Sequence, residues 1–465
     1  MFTPTTPIAW QACRGMCYHS YFVNRNSYPK MVYLRGLFGL AFLIGVAYLF
    51  SGNRRKIDWK LVGTGVLLQI VFGFLVIRVD IVTAGFDWIS KGFVRFLDFS
   101  AEGAKFLFGD LARDFPPSDA NATHRLGYLF AFRALPTIIF FSAVTSGLYY
   151  LGVLQKVVYS IAWVMSRTMR LSGSESFAAA GNIFLGQTEA PLLVRPFVPT
   201  MTRSELLCLM IGGMANIAGS VMGAYVNFLG GDSIESKAAF AAHLLSASIM
   251  SAPAGILISK ILLPETDSID QKLVVHKEQL GVNLIDAMSI GAADGLKLAL
   301  NVGGMLIAFI AVVFMLNAGL SGIGELVGLN KWVQASTGGA FKTFSMEYIF
   351  GQFFRVFAFV MGIEWKDTLL VGSLLGQKTV INEFVAYVSL ADMQRNNLIS
   401  PRSVVISTYA LCSFANFSSI AIQVGGIGNM APNQQANLSR LGMTALLGGT
   451  LATMMTATIA GTLIE

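Results

Sequence analysis

The sequence predicts an all-α polytopic membrane protein, with about eight transmembrane helices plus two re-entrant hairpins in inverted repeats. Three observations carry that reading. The first is composition: 54% of the 465 residues are hydrophobic against 13% charged, and the mean hydropathy is +0.62, more apolar surface than a soluble core absorbs. The second is a polar interruption, Gly181-Asn182-Ile183-Phe184-Leu185-Gly186-Gln187-Thr188-Glu189-Ala190-Pro191, lying between apolar flanks. An ionisable residue at membrane depth costs about 2.5–3.5 kcal/mol on insertion scales, so it faces a protein cavity and marks a substrate or ion path. The third is repetition. Leu185-Gly186-Gln187 returns as Leu375-Gly376-Gln377, and Met214-Ala215-Asn216-Ile217-Ala218-Gly219-Ser220 returns 200 residues later as Phe414-Ala415-Asn416-Phe417-Ser418-Ser419-Ile420.

In chain order, residues 1–30 hold Arg14, Arg25 and Lys30 with no acid and no apolar core for a signal peptide. They read as a dispensable tail, disordered or not native. Leu34 to Phe50 is long enough to span, and Asn53-Arg54-Arg55-Lys56 then places that loop in the cytoplasm, leaving the N-terminus outside. A second span runs from Leu61 to Val82. Residues 86–125, with mixed charges and Pro116-Pro117, read as outer surface; their Asn121-Ala122-Thr123 is a common chance match to a glycosylation pattern. The third span, Leu126 to Leu151, carries Arg133 near its end, where it can snorkel. Spans one to three thus occupy residues 31–151.

Residues 152–170 space Lys156, Arg167 and Arg170 among apolar side chains, as an interfacial helix does. Ser172 to Val198 is too polar to span and too apolar for a surface loop. A hairpin entering from the cytoplasm fits, because irregular backbone at depth must be buried in protein or line a wet cavity. Spans at 204–229, interrupted at Gly212-Gly213 and Ala215-Asn216, and at 237–262 complete a first repeat over 152–262. Residues 263–342 hold an inner loop and a sixth span from Gly295 to Leu316. Residues 343–363, with Glu347 and Arg355, read as a second interfacial helix. A hairpin from Asp367 to Leu390 enters from the opposite side, and spans at 403–424 and 440–463 leave the C-terminus outside, giving a second repeat over 343–465.

Several function classes drop out. The net charge of +7 comes without a basic cluster interleaved with aromatics, so no nucleic-acid partner is expected. Cys13, Cys17, Cys208 and Cys412 form neither a disulfide framework nor a zinc pattern. The chain is not expected to be an enzyme, since neither hairpin supplies a His or Cys near its carboxylate; a channel has no use for two closed hairpins. His243 reads as a satisfied core histidine, and Gly425-Gly426-Ile427-Gly428, with no strand before it, as a hinge or packing site. Repeats with Gly- and Pro-interrupted apolar segments are the mark of secondary transporters. Broken helices expose free N–H and C=O groups. Asn182, the carbonyl of Leu185, Asn216 and the carbonyl of Ile217 make an oxygen-only set suited to Na⁺. Gln187, Thr188 and Glu189 offer the mixed donors and acceptors that a heterocyclic base requires, and Glu383 and Asn416 suit sugar hydroxyls, with selectivity against ligands that lack them.

Three motifs in order, Gly186-Gln187-Thr188-Glu189-Ala190-Pro191, Asn382-Glu383-Phe384-Val385-Ala386-Tyr387 and Phe414-Ala415-Asn416-Phe417-Ser418-Ser419, resemble the concentrative nucleoside transporters, with the similarity running from Met31 to the C-terminus. The resemblance implies a homotrimer in the lipid bilayer of the cell inner (plasma) membrane. Each protomer would move a transport domain elevator-fashion against a scaffold, to which 31–151 and the span within 263–342 would belong. It implies that Gln187, Thr188, Glu189 and Val221 contact the base, with Leu298 nearby, and that Glu383, Phe414, Asn416 and Ser419 contact the ribose. Asn182, Leu185, Asn216 and Ile217 would hold Na⁺, the coupling ion for importing nucleosides such as uridine; some relatives use H⁺. A hydroxyl residue often stands at Asn216 in bacterial members, and Lys297 also departs from the family pattern.

Overall fold

The computed structural model describes residues 29–112, 129–231, 233–270 and 281–464. The expected tail up to residue 28, Cys13 and Cys17, Pro116-Pro117 and the Asn121–Thr123 triplet lie outside these residues. Every regular element among the described residues is helical. Helix α1, Pro29–Leu49, starts two residues before the unit expected at Met31. Helix α2 is Trp59–Arg78, capped by Asp58, which accepts from the N–H groups of Lys60 and Leu61.

Of the stretch 86–125 expected to be outer surface, residues up to 108 belong to one continuous 29-residue helix, α3, Asp80–Phe108, and residues 113–125 lie outside the described residues. Its buried residues Ser90, Val94, Leu97, Ser100 and Ala104 recur every three or four positions, an apolar stripe that the charges between them mask in a hydropathy reading. Helices α4, Phe130–Tyr150, and α5, Val153–Met169, follow as expected. The first hairpin descends as α6, Gly173–Gly181, and returns through two 3₁₀ turns, Ala190–Val194 and Val198–Thr200, in place of a second helix. The prolines at 191, 196 and 199 in that arm lack the N–H groups that a longer helix needs. Then come α7, Arg203–Ala215, α8, Gly219–Gly230, and α9, Ile234–Leu262.

The sixth span is longer than expected. Helix α10, Leu284–Leu326, has 43 residues, about 64 Å at 1.5 Å per residue, and the stretch from Gly295 to Leu316 is only its middle. A short α11, Leu329–Ser336, leads to α12, Met346–Val360, whose 15 residues reach about 22 Å, short of a ~30 Å hydrocarbon core. The second hairpin is a helix pair, α13, Thr368–Val380, and α14, Glu383–Arg395. The chain ends with α15, Pro401–Leu411, α16, Phe417–Met430, and α17, Gln435–Leu463.

Seven stretches among the described residues are long and apolar enough to cross a membrane, the broken α7–α8 counted as one. The broken α15–α16, expected to span at 403–424, is not among them. Helices α7, α8, α9 and α17 form the buried centre. Helix α1 packs on α17, α2 on α9, and α4 on α10. Their outward faces carry exposed Leu37, Phe74, Ile307 and Phe314, the surface that lipid covers. Gly425, Gly426 and Gly428 lie inside α16, and Gly428 makes room for Gln435 of α17.

One buried ion pair fastens the first hairpin. Lys260 of α9 pairs with Glu175 of α6, donates to Ser204 Oγ at 2.9 Å and lies 3.7 Å from Glu265. Glu175 also closes a capping box with Ser172, as Glu205 does with Thr202 at the start of α7. Removing one partner of a buried pair costs about 3–5 kcal/mol, because the other charge is stranded, whereas replacing both by apolar residues is often neutral. Glu175→Leu is therefore expected to lower the thermal unfolding midpoint in detergent, and the double variant Glu175→Leu, Lys260→Met to recover most of the loss.

Candidate functional site

The site forms where both hairpins meet both broken helices. Helix α7 stops at Asn216, which is extended (φ −121°, ψ 168°), and α8 restarts after Ala218. Helix α15 stops at Leu411, and α16 restarts with Asn416 as its cap, its side chain accepting from Ser419 N–H at 2.9 Å. The two breaks are joined backbone to backbone. The N–H of Phe414 donates to the carbonyl of Asn216 at 3.2 Å, and the N–H of Gly219 donates to the carbonyl of Phe184 in the first hairpin at 3.0 Å. Groups that a helix break frees are thereby satisfied inside the protein.

Glu383 begins α14 at the tip of the second hairpin, where the side chain of Asn382 caps the helix. Its buried carboxylate accepts from Asn416 Nδ2 at 2.9 Å and from the Tyr225 hydroxyl at 3.3 Å. Gln187, at the tip of the first hairpin, donates through Nε2 to Ser419 Oγ at 2.9 Å. Thus Gln187, Ser419, Asn416 and Glu383 form one chain of contacts from one hairpin to the other. Glu189 accepts a long bond from Gly186 N–H at 3.4 Å, and Thr188 is exposed. Val221 is buried in the first turn of α8, and the Phe414 ring lies beside Gly186. Leu298 stands on α10, partly buried against the core. Its neighbour Lys297 is exposed and forms a 3.6 Å pair with Asp294, a surface contact worth about 0–1 kcal/mol. His243 is tied to the Tyr409 hydroxyl at 3.2 Å, as a core histidine should be.

A second group of oxygens sits between the first hairpin and the α7–α8 break. The side chain of Asn182 is buried with neither its oxygen nor its nitrogen partnered, and Asn216 Oδ1 and Ser220 Oγ are buried and unpartnered too. Among the described residues no backbone N–H donates to the carbonyl of Leu185 or of Ile217. The Asn residues meet at Gly212: its carbonyl accepts from Asn216 Nδ2 at 3.2 Å, and a Cβ there would come 2.9 Å from Asn182 Nδ2. Unpaired buried oxygens are costly, and a small hard cation suits such a set.

Sequence reasoning missed three residues. Tyr225 and Gln423 are isolated polar groups within apolar stretches of α8 and α16, and carry no pattern of their own. Lys378 of α13 is fully buried and donates from Nζ to the Ala410 carbonyl (3.0 Å), Ser413 Oγ (2.9 Å) and Thr453 Oγ1 (3.3 Å). Three acceptors for three N–H groups let an ammonium stay inside, and the cost of a charge at that depth was the available signal.

Known proteins are similar to this chain. Residues 243–461 match the family described as Na⁺ dependent nucleoside transporter C-terminus, residues 38–111 its N-terminus, and residues 131–232 the nucleoside recognition family named Gate. The solved structure of CNTnw in an inward-facing substrate-bound state is 37% identical, with a TM-score of 0.83 over 94% of this chain and 100% of that one. The chain belongs to the concentrative nucleoside transporter family. CNTnw variants in outward-facing states match this chain with TM-scores of 0.82 and 0.84. An uncharacterized transporter of Haemophilus influenzae is 37% identical over 93% of the chain and 98% of its own length. Solute carrier family 28 member 3 of Eptatretus stoutii is 40% identical over 92% of the chain. The chain spans 60% of the length of that animal relative.

Asn416 has two structural duties in this chain, capping α16 through Oδ1 and supporting Glu383 through Nδ2. Asn416→Ser keeps a capping oxygen and Asn416→Ala keeps neither, so the Ala variant is expected to be less stable by about 1–2 kcal/mol and the Ser variant to lie between it and the unchanged chain in thermal unfolding.

Proposed function

We propose that the chain is a secondary active symporter that imports nucleosides across the cell inner membrane, driven by a Na⁺ gradient. The observation that carries this reading is the pair of neighbouring polar groups at the hairpin tips: a bonded chain from Gln187 to Glu383 beside the unpartnered oxygens of Asn182 and Asn216. In this reading Gln187, Thr188, Glu189 and Val221 meet the base, with Leu298 approaching from α10. Glu383, Phe414, Asn416 and Ser419 meet the ribose. Na⁺ is carried as cargo by Asn182, the Leu185 carbonyl, Asn216 and the Ile217 carbonyl, and Ser220 adds a hydroxyl to the set.

Both groups lean on the same backbone, since Phe184 and Gly219 of the cation side are bonded to each other and Asn216 is bonded to Phe414. Order imposed by one ligand is order the other need not supply, and each raises the other's affinity by the same factor. The membrane potential contributes about 2.3 kcal/mol per charge per 100 mV, roughly a fiftyfold accumulation for one Na⁺. The transport repeats of 152–262 and 343–465 would move as a body. The contacts of α1 with α17 and of α2 with α9 favour carrying those two helices along, which leaves α4 and α10 as the scaffold of each subunit in a homotrimer. Both termini lie outside in this arrangement.

The test is radiolabelled uridine uptake into proteoliposomes with Na⁺ and H⁺ gradients imposed separately. Saturable uptake driven by an inward Na⁺ gradient is expected. Uptake that follows an H⁺ gradient alone replaces the coupling ion, and unsaturable flux replaces the carrier by a channel. Glu383→Gln is expected to abolish uridine uptake in a chain that still folds. Gly212→Ala, which presses on Asn182, is expected to raise the half-saturating Na⁺ concentration about tenfold or more, as loss of roughly one hydrogen-bond equivalent of binding would; unchanged Na⁺ dependence would remove Asn182 from the cation set.

A further inference from the structure

Gln423 plays no part in the site as read from the sequence, yet it is 1% exposed and bonded to Gln187. It sits on α16 in the second repeat and reaches across to the first. Its Nε2 donates to the Met210 carbonyl of α7 at 3.1 Å and to Gln187 Oε1 at 3.2 Å. The pair occupies room that Gly213 leaves: a Cβ on Gly213 would come 2.7 Å from Gln423 Nε2 and 3.1 Å from Gln187 Cβ.

We propose that Gln423 is a positioning residue that fixes the orientation of the Gln187 amide and, through it, which nucleobase edge the transporter prefers. The inference rests on the proposed contact of Gln187 with the base. Its logic is one of donors and acceptors. The Met210 carbonyl only accepts, so the end of Gln423 that faces it is the NH₂ group. That NH₂ needs an acceptor in Gln187, which turns Oε1 toward it and leaves Gln187 Nε2 facing Ser419. The Ser419 hydroxyl both donates and accepts, so it tolerates either orientation and fixes neither. Orientation is thus handed from a backbone carbonyl, through Gln423, to the amide at the hairpin tip. Gln187 keeps one spare lone pair and one spare hydrogen, in a fixed order. Gln423 Oε1, buried without a protein partner, is a further acceptor open to an N–H of the ligand. Uracil presents an N–H between two carbonyls, whereas cytosine presents a ring nitrogen acceptor beside an amino donor. A fixed amide tells these apart, because a buried polar group facing the wrong partner is left unpaired.

The test compares Vmax/KM for uridine and cytidine uptake in the full-length chain, with protein amount normalised in the membrane. Gln423→Leu frees the amide, and the uridine-to-cytidine ratio is expected to move at least fivefold toward one. Gln423→Glu, which offers Gln187 only acceptors, inverts the amide and is expected to carry the ratio further in the same direction. Should either variant fail to reach the membrane, Gly213→Ala presses on the same pair and is expected to shift the ratio as Gln423→Leu does. A ratio near one in the unchanged chain, or variants that lower both nucleosides alike, would overturn the proposal. Gln187→Ala separates this from the underlying site reading: if it leaves the ratio unchanged, the base contact of Gln187 falls; if it erases the ratio while the Gln423 and Gly213 variants do not move it, only the inference about Gln423 falls.

Discussion

The structure depends on keeping every backbone group that a broken helix frees away from hydrocarbon. A single unsatisfied N–H or C=O in the bilayer core costs several kcal/mol, so a chain that interrupts its helices there must pair the loose ends within itself. The two interruptions here solve the problem jointly. Asn216 offers its carbonyl to Phe414, Phe184 offers its carbonyl to Gly219, and Asn416 turns its side chain back to cap the helix it begins. Each repeat therefore needs the other to be complete, and the polar surface left over at the junction is the candidate site.

Charge is handled by the same economy of partners. Lys378 brings a charge into the second repeat and meets three oxygens, one of them from the last turn of α15. Lys260 meets Glu175 and Ser204 beside the first hairpin. Glu383 has two donors from two different helices. Such fully partnered networks hold their members in one geometry. Of the buried groups that lack partners, Asn182, Asn216 Oδ1, Ser220 and Gln423 Oε1 lie around the first hairpin and the breaks, where a ligand can satisfy them, while others such as Ser90, Gln155 and Ser248 lie elsewhere.

Much of this was legible in the sequence because polar residues at depth are expensive and so cannot be incidental. The motif around Glu189, the Asn382-Glu383 pair and the repeated Ala-Asn located both hairpins and both breaks. What stayed hidden has physical reasons. Helix α3 alternates charged and apolar residues around its circumference, so its mean hydropathy resembles a loop although its buried stripe is regular. The ends of α10 carry Asp286, Asp294, Lys297 and Glu325, which read as surface, so only its apolar middle stood out. Tyr225 and Gln423 act through partners more than 150 residues away, and one polar residue on an apolar helix does not say which distant group it meets.

The unbroken length of α10 has a consequence for how the molecule sits in lipid. A rod of about 64 Å exceeds a ~30 Å hydrocarbon layer twofold, and its charged ends mark where it leaves that layer. Set along the bilayer normal, an unbroken helix of that length extends beyond the layer and carries a tilt from one side to the other. The helices interrupted at Asn216 and Asn416 can absorb such a tilt by bending. Mismatch with bilayer thickness is thus taken up unevenly, by rotation of one stiff lever and by flexure at the two breaks beside the candidate site.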